Sequence, residues 1–136
     1  MGKLNLEVVT PEKVLVSQAV DTVVAPGTDG EFGILPGHVP FLSGIVPGEL
    51  RYTMGQEKEI LAVTTGFAEI SNDRVSILVD AAEKARDIDV ERARRAIERA
   101  RERLAKMRGT KDIDFLRAEA ALKRALTRLK VAEKIA

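Results

Sequence analysis

Asp87-Ile88-Asp89-Val90-Glu91-Arg92-Ala93 and Asp112-Ile113-Asp114-Phe115-Leu116-Arg117-Ala118 are two copies of one phrase, D-I-D-x-x-R-A, set 25 residues apart. A helical pattern follows each. After the first copy, Val90, Ala93, Ile97, Ala100, Leu104 and Met107 recur at alternating spacings of three and four, which lines one face of a helix. After the second, Phe115, Ala118, Leu122, Ala125, Leu129 and Ala132 repeat the spacing. Gly109-Thr110 breaks the pattern between them. Two seams of matching length with a short join predict an antiparallel helical hairpin. Asp89 and Asp114 stand just before the periodic runs, where a carboxylate accepts from the free N–H groups of a first turn. Asp87 and Asp112 add negative charge near the positive end of each helix dipole. The phrase therefore marks two helix starts and divides the chain into domains at 1–84 and 85–136.

Upstream of the phrase the period changes to that of strands. Leu4, Leu6 and Val8 alternate with Asn5 and Glu7. Strands are expected at 14–16, 20–25, 46–54, 60–65, 67–70 and 75–79, separated by Pro11-Glu12, Pro26-Gly27, Gly55-Gln56 and Ser71-Asn72-Asp73. Residues 27–40 read as a long irregular stretch with four glycines and two prolines. The fold class is α+β: an N-terminal antiparallel β-sandwich, or flattened barrel, followed by a C-terminal two-helix hairpin. With four Phe and one Tyr in 136 residues, the core must be mostly Val, Ile and Leu.

Composition narrows the function. There is no cysteine and only one histidine, so disulfides, thiolate sites and His-cluster metal sites are excluded. No run of 18 apolar residues is present, and residues 1–6 form no apolar signal core. Leu6 stands where a myristoylation motif needs Ser or Thr. The chain is expected to stay in the compartment where it is made. The net charge of +1 hides an asymmetry: residues 1–80 carry 5 Lys and Arg against 11 Asp and Glu, and residues 81–136 carry 17 against 10. An acidic half and a basic half suit different partners.

The stretch Gly30-Glu31-Phe32-Gly33-Ile34-Leu35-Pro36-Gly37-His38-Val39-Pro40 has no lysine and no G-x-x-x-x-G-K-[ST] pattern. No nucleophile motif surrounds His38. It reads as a shaped contact surface, and the chain reads as no enzyme.

The hairpin seams alternate large residues with alanine. Alanine lets the helix backbones approach but buries little apolar area, so an isolated hairpin of this kind is marginal. Placed on a heptad, Arg92 and Arg99 fall at one position on the first helix, with Arg124 and Arg128 on the matching flank of the second. Folding would gather four guanidinium groups. A polyphosphate would relieve their repulsion through charge-assisted hydrogen bonds. A solvated basic face with Glu98, Glu102 and Glu119 interspersed is the plainer reading of the same charges. A nucleic-acid-binding hairpin on a β-domain is another alternative, weakened by the single aromatic residue, Phe115, in this half.

A β-sandwich carrying G-E-F-G-I-L-P-G-H at 30–38, followed by a hairpin opened by I-D-x-x-R-A at 88–93, resembles the epsilon subunit of bacterial F-type ATP synthases. The resemblance covers essentially the whole chain. It implies a non-catalytic rotor subunit of the central stalk of a proton- or sodium-translocating synthase. The sandwich would contact the gamma subunit and the c-ring, with Glu31 and His38 in the contact loop. The hairpin would extend toward the alpha and beta subunits to inhibit ATP hydrolysis, with Arg94, Arg95, Arg101 and Lys106 available to an acidic segment of beta. In its folded-down form it would bind ATP as a regulatory ligand. Matched residue by residue, the ATP site would comprise Glu83, Ile88, Asp89, Arg92, Ala93, Arg99, Arg124 and Arg128. No sequence feature requires magnesium, and no metal site or nucleic-acid partner is implied. The implied location is the cytoplasmic face of the bacterial cell membrane, as a peripheral protein.

Overall fold

The computed structural model describes residues 2–107 and 113–134. The chain divides into two compact units, Met1–Lys84 and Ala85–Ala136.

The first unit is a β-sandwich of ten strands: β1 (Leu4–Val9), β2 (Val14–Val20), β3 (Thr22–Gly27), β4 (Gly30–Ile34), β5 (Phe41–Ile45), β6 (Gly48–Met54), β7 (Glu57–Val63), β8 (Gly66–Ser71), β9 (Arg74–Val79) and β10 (Ala82–Lys84). They hydrogen-bond in the order β10-β7-β6-β3-β5-β8-β9-β1-β2, with β4 also on β3. A path this long cannot stay flat and instead folds over on itself. The fold-over occurs where β3 meets β5, since Gly27 opposite Ile45 is the single register pair joining them. The ladders are antiparallel except for β1 against β9, which is parallel. Alternating residues close the core from both layers. Leu6 and Val8 lie beside Val75 and Ile77 on neighbouring strands and share one buried cluster with Leu4, Leu50 and Leu61, and Tyr52 is the only aromatic residue among its fully buried members.

The stretch at 27–40 is not irregular throughout. β4 runs through it, paired residue for residue with β3 from Gly27↔Gly30 to Val23↔Ile34. The two-residue turn Thr28-Asp29 makes this a hairpin, and its glycines hide the strand signal. Gly27 is required here: a Cβ would lie 2.8 Å from the Phe32 ring. The expected strand at 20–25 is two strands, because Asp21 makes a corner. Its carboxylate accepts from Lys3 Nζ and, at 2.6 Å, from the Gly55 N–H. Its own N–H donates to the Thr53 carbonyl at 2.7 Å.

The lysine and the Gly55 N–H hold the Asp21 carboxyl below its ordinary value of 3.8. A carboxyl depressed by folding stabilises the protein above its unfolded value, and that contribution is lost as pH falls through the folded value. Acid unfolding should therefore be shallower for Asp21→Asn. Its stability should lie below the parent's at neutral pH and converge with it below pH 3.8, as followed by circular dichroism.

The second unit holds a 3-10 turn at Ala85–Asp87, α1 (Val90–Lys106) and α2 (Ile113–Glu133). Asp89 caps α1, accepting at 3.1 Å from the Arg92 N–H, an interaction worth about 1 kcal/mol. The second copy of the phrase behaves differently. α2 already includes Ile113, so Asp114 lies inside the first turn rather than at the cap. Asp114 thus acts through the helix dipole. Asp112 and the Gly109-Thr110 break lie outside the described residues.

α1 and α2 pack along their lengths, and α2 also contacts the 3-10 turn before α1. Only an antiparallel arrangement brings the end of α2 to that place. The buried seam residues are mostly alanines: Ala93 and Ala100 in α1 and Ala118, Ala125 and Ala132 in α2, with Ile97 of α1 the one large side chain buried among them. Leu104, Phe115, Leu122 and Leu129 are only half-buried. Backbone proximity at the alanines, together with the burial of Ile97, holds this pair together.

Candidate functional site

Two surfaces stand out, one on each unit. On the sandwich, an apolar row crosses five strands. Val14 lies opposite Val9, Val9 opposite Leu78, Leu78 opposite Phe67, and Phe67 opposite Gly44. Leu42 is two residues from Gly44 and so shares its face. Val14, Leu42, Phe67 and Leu78 are 56%, 69%, 63% and 51% exposed. Their strands send the opposite residues inward, since Ala68, Ile70, Ile77 and Val79 are buried. These side chains occupy positions where a sandwich facing only water would carry polar groups. A contiguous exposed apolar row of this kind marks an interaction surface. Sequence reading missed it. The available signal was a large apolar residue on the polar phase: Phe67 in step with Glu69, and Leu78 in step with Arg74 and Ser76.

The loop after β4 is a second exposed apolar feature of the sandwich. Leu35 and Val39 are exposed, and Pro36 and Gly37 turn the chain between them. The Gly37 N–H donates to Asp73 Oδ1 at 2.7 Å, tying the loop to the β8–β9 turn. His38 is half-buried, with its Nδ1 2.7 Å from the Val39 carbonyl and its ring edge-on to Phe41 at 5.9 Å. Phe41 in turn meets Phe32 edge-on at 5.4 Å. Glu31 is exposed on β4 and is gripped by Arg51 through two bonds of 2.9 Å. That carboxylate raises the Arg51 guanidinium above its ordinary value.

On the helical unit, Ile88 and Ala93 are buried, while Asp89 and Arg92 are exposed beside them at the start of α1. Arg99 is exposed two turns further on. Arg124 is exposed and Arg128 half-buried in the later half of α2. The antiparallel packing sets that half of α2 beside the early half of α1. A groove of about 370 Å³ lies on the other side of the α1–α2 seam, lined by Arg94, Ile97, Glu98, Arg101, Glu102, Leu126 and Leu129. The helices thus present two flanks. One carries Arg92 and Arg99 with Arg124 and Arg128; the other carries Arg94 and Arg101 with intervening glutamates. Glu83 belongs to the sandwich, on β10, where its backbone pairs with Ala62.

Both units match known domains. Residues 3–85 match the ATP synthase delta/epsilon chain β-sandwich domain, and residues 86–133 match the long α-helix domain of the same family. The ATP synthase epsilon chain of Syntrophobacter fumaroxidans is 57% identical over 132 residues, covering 97% of this chain and 97% of the relative. This chain belongs to the epsilon-subunit family of F-type ATP synthases. The epsilon chain of Carboxydothermus hydrogenoformans is 55% identical over 104 residues, covering 76% of this chain and 78% of that one. The fold is also similar to a chain of the Euglena gracilis mitochondrial ATP synthase, solved as OSCP/F1/c-ring, with a TM-score of 0.83 at 23% identity over 98% of this chain and 82% of that one. A chain of the Tetrahymena thermophila mitochondrial synthase, solved as central stalk and c-ring, gives a TM-score of 0.56 at 17% identity, covering 99% and 98%. Among the described residues of this epsilon-family chain, no helix is long and apolar enough to cross a membrane.

Proposed function

We propose that this subunit is a non-catalytic part of the rotating central stalk, coupling ion flow to ATP synthesis through its sandwich and restraining ATP hydrolysis through its hairpin. The apolar row Val14–Val9–Leu78–Phe67–Leu42 carries this reading. It gives the sandwich a face suited to a long apolar partner, the gamma subunit. Glu31 on β4 and His38 in the loop after it mark the end turned to the c-ring, with the subunit at the cytoplasmic face of the bacterial membrane. When extended, the hairpin reaches the alpha and beta subunits, and the arginines of its groove flank meet acidic side chains there.

The other flank supports an ATP site. Arg92, Arg99, Arg124 and Arg128 supply guanidinium groups to the phosphates, with Ile88, Asp89 and Ala93 at the nucleoside end. ATP bound there stabilises the folded-down form, since a ligand shifts a two-state element toward the state that binds it better. Arg92→Ala or Arg124→Ala should weaken ATP binding by about tenfold to a hundredfold, the loss of one charge-assisted contact. Arg101→Ala, on the groove flank, should leave it unchanged. Calorimetric titration of the purified chain with ATP, with and without magnesium, measures this. Equal affinities for all three variants and the parent would remove the arginine site.

A further inference from the structure

The bond between Glu31 and Arg51 joins residues that are not neighbours in the sheet. Arg51 on β6 lies opposite Val24 on β3, and Val24 lies opposite Gly33 on β4. Glu31 is two residues before Gly33, so it shares that face. Arg51 must therefore cross the whole width of β3 to reach β4. Its stem passes over the half-buried pair Val24 and Pro26. The crossing keeps clear of Gly33, where a Cβ would meet nothing within 4 Å. The guanidinium then meets the carboxylate fork to fork, Nη1 to Oε2 and Nη2 to Oε1, both at 2.9 Å. Arg51 is 27% exposed and Glu31 is 50% exposed, so the cation is largely covered while the anion faces outward.

We propose that Arg51 is a positioning residue for docking: it lies across β3 and holds the Glu31 carboxylate in one orientation, ready to accept from hydrogen-bond donors on the c-ring. This rests on the reading of Glu31 as a docking contact. A glutamate left alone samples several rotamers and must be ordered when the complex forms. The fork of Arg51 orders it beforehand, so that cost is absent at docking. A lysine in the same place would supply charge without the planar fork, and would not fix the carboxylate plane.

The test is reconstitution of an ATP synthase stripped of this subunit with the parent chain, Glu31→Gln, Arg51→Gln, Arg51→Lys and the double variant Glu31→Gln/Arg51→Gln. Affinity for the stripped enzyme and the ratio of ion pumping to ATP hydrolysis are both read. Arg51→Gln and Arg51→Lys should each weaken binding by about threefold to tenfold, the effect of one side chain ordered in advance. Glu31→Gln should weaken it at least as much, and the double variant no further, because the arginine acts only through the carboxylate. Thermal melting of each purified chain should stay close to the parent's. If Glu31→Gln weakens binding and Arg51→Gln does not, or if the two losses add fully, the positioning role is overturned and the docking role of Glu31 stands. If Glu31→Gln binds and couples as the parent does, the docking reading fails and the positioning role with it.

Discussion

Gly66→Ala unfolds the sandwich at temperatures where the parent chain remains folded. Gly66 opens β8 between two partners, opposite Ile45 on one side and Val79 on the other. A Cβ built there would lie 1.9 Å from the Leu78 carbonyl oxygen, 2.7 Å from the Val79 Cα and 2.8 Å from the Leu78 carbonyl carbon. All three are backbone atoms of β9, which cannot rotate aside as a side chain would. β9 is itself held by β1 on its far side. Relief would require pulling β8 off β9 and exposing Ala68, Ile70, Ile77 and Val79, all buried. Strain of this kind belongs among the largest single-residue effects, about 4 kcal/mol or more. For a unit of this size that lowers the melting temperature by roughly 15 °C or more. Gly33→Ala is the control. It makes the same substitution in a neighbouring hairpin, where a Cβ meets nothing within 4 Å. It should melt within a few degrees of the parent or slightly above it, since alanine restricts the unfolded chain. Equal melting of the two variants, read by calorimetry, would show that β8 and β9 can separate at little cost.

The contrast between those glycines explains what the sequence disclosed. The strands that alternate cleanly, such as Leu4-Asn5-Leu6-Glu7-Val8, were legible because one face meets the core and the other water. The β3–β4 hairpin was not, because its glycines, among them Gly27 at a close approach to Phe32, interrupt the pattern. β5 was hidden for a different reason. Phe41 and Leu42 are both exposed apolar residues, so the alternation that reveals a strand is absent. The helices were legible from their three-four period, and Asp89 as a cap from its place before it. The second copy of the phrase misled at Asp114, because identical letters do not fix where the first helical residue falls. On the sandwich, Glu31 was singled out only through resemblance, and the arginine that grips it is 20 residues away in sequence. Only the sheet register brings them together.

Phe67→Glu combined with Leu78→Glu should abolish assembly of the subunit onto the central stalk while leaving the sandwich folded. The two side chains are directly paired across β8 and β9. They sit at the middle of the apolar row, with Val9 and Val14 to one side and Leu42 to the other. Both are more than half exposed in the free chain, so ionised glutamates there remain hydrated and cost the fold little. In the complex the same positions would be dry. Two carboxylates would then lose their water without a counter-charge, and their neighbours Glu69 and Glu7 on the same face would add repulsion. Central interface positions of this type each account for about 2 kcal/mol or more, so the pair should weaken binding by roughly a thousandfold. Reconstitution of the stripped synthase, measured beside the melting temperature of the free variant, separates the two effects. Phe67→Leu with Leu78→Met keeps the face apolar and should retain most of the affinity. Should the double glutamate variant assemble with parental affinity, the row would not be the stalk-facing surface. Glu31 on β4 and the loop with His38 would then have to carry the attachment alone.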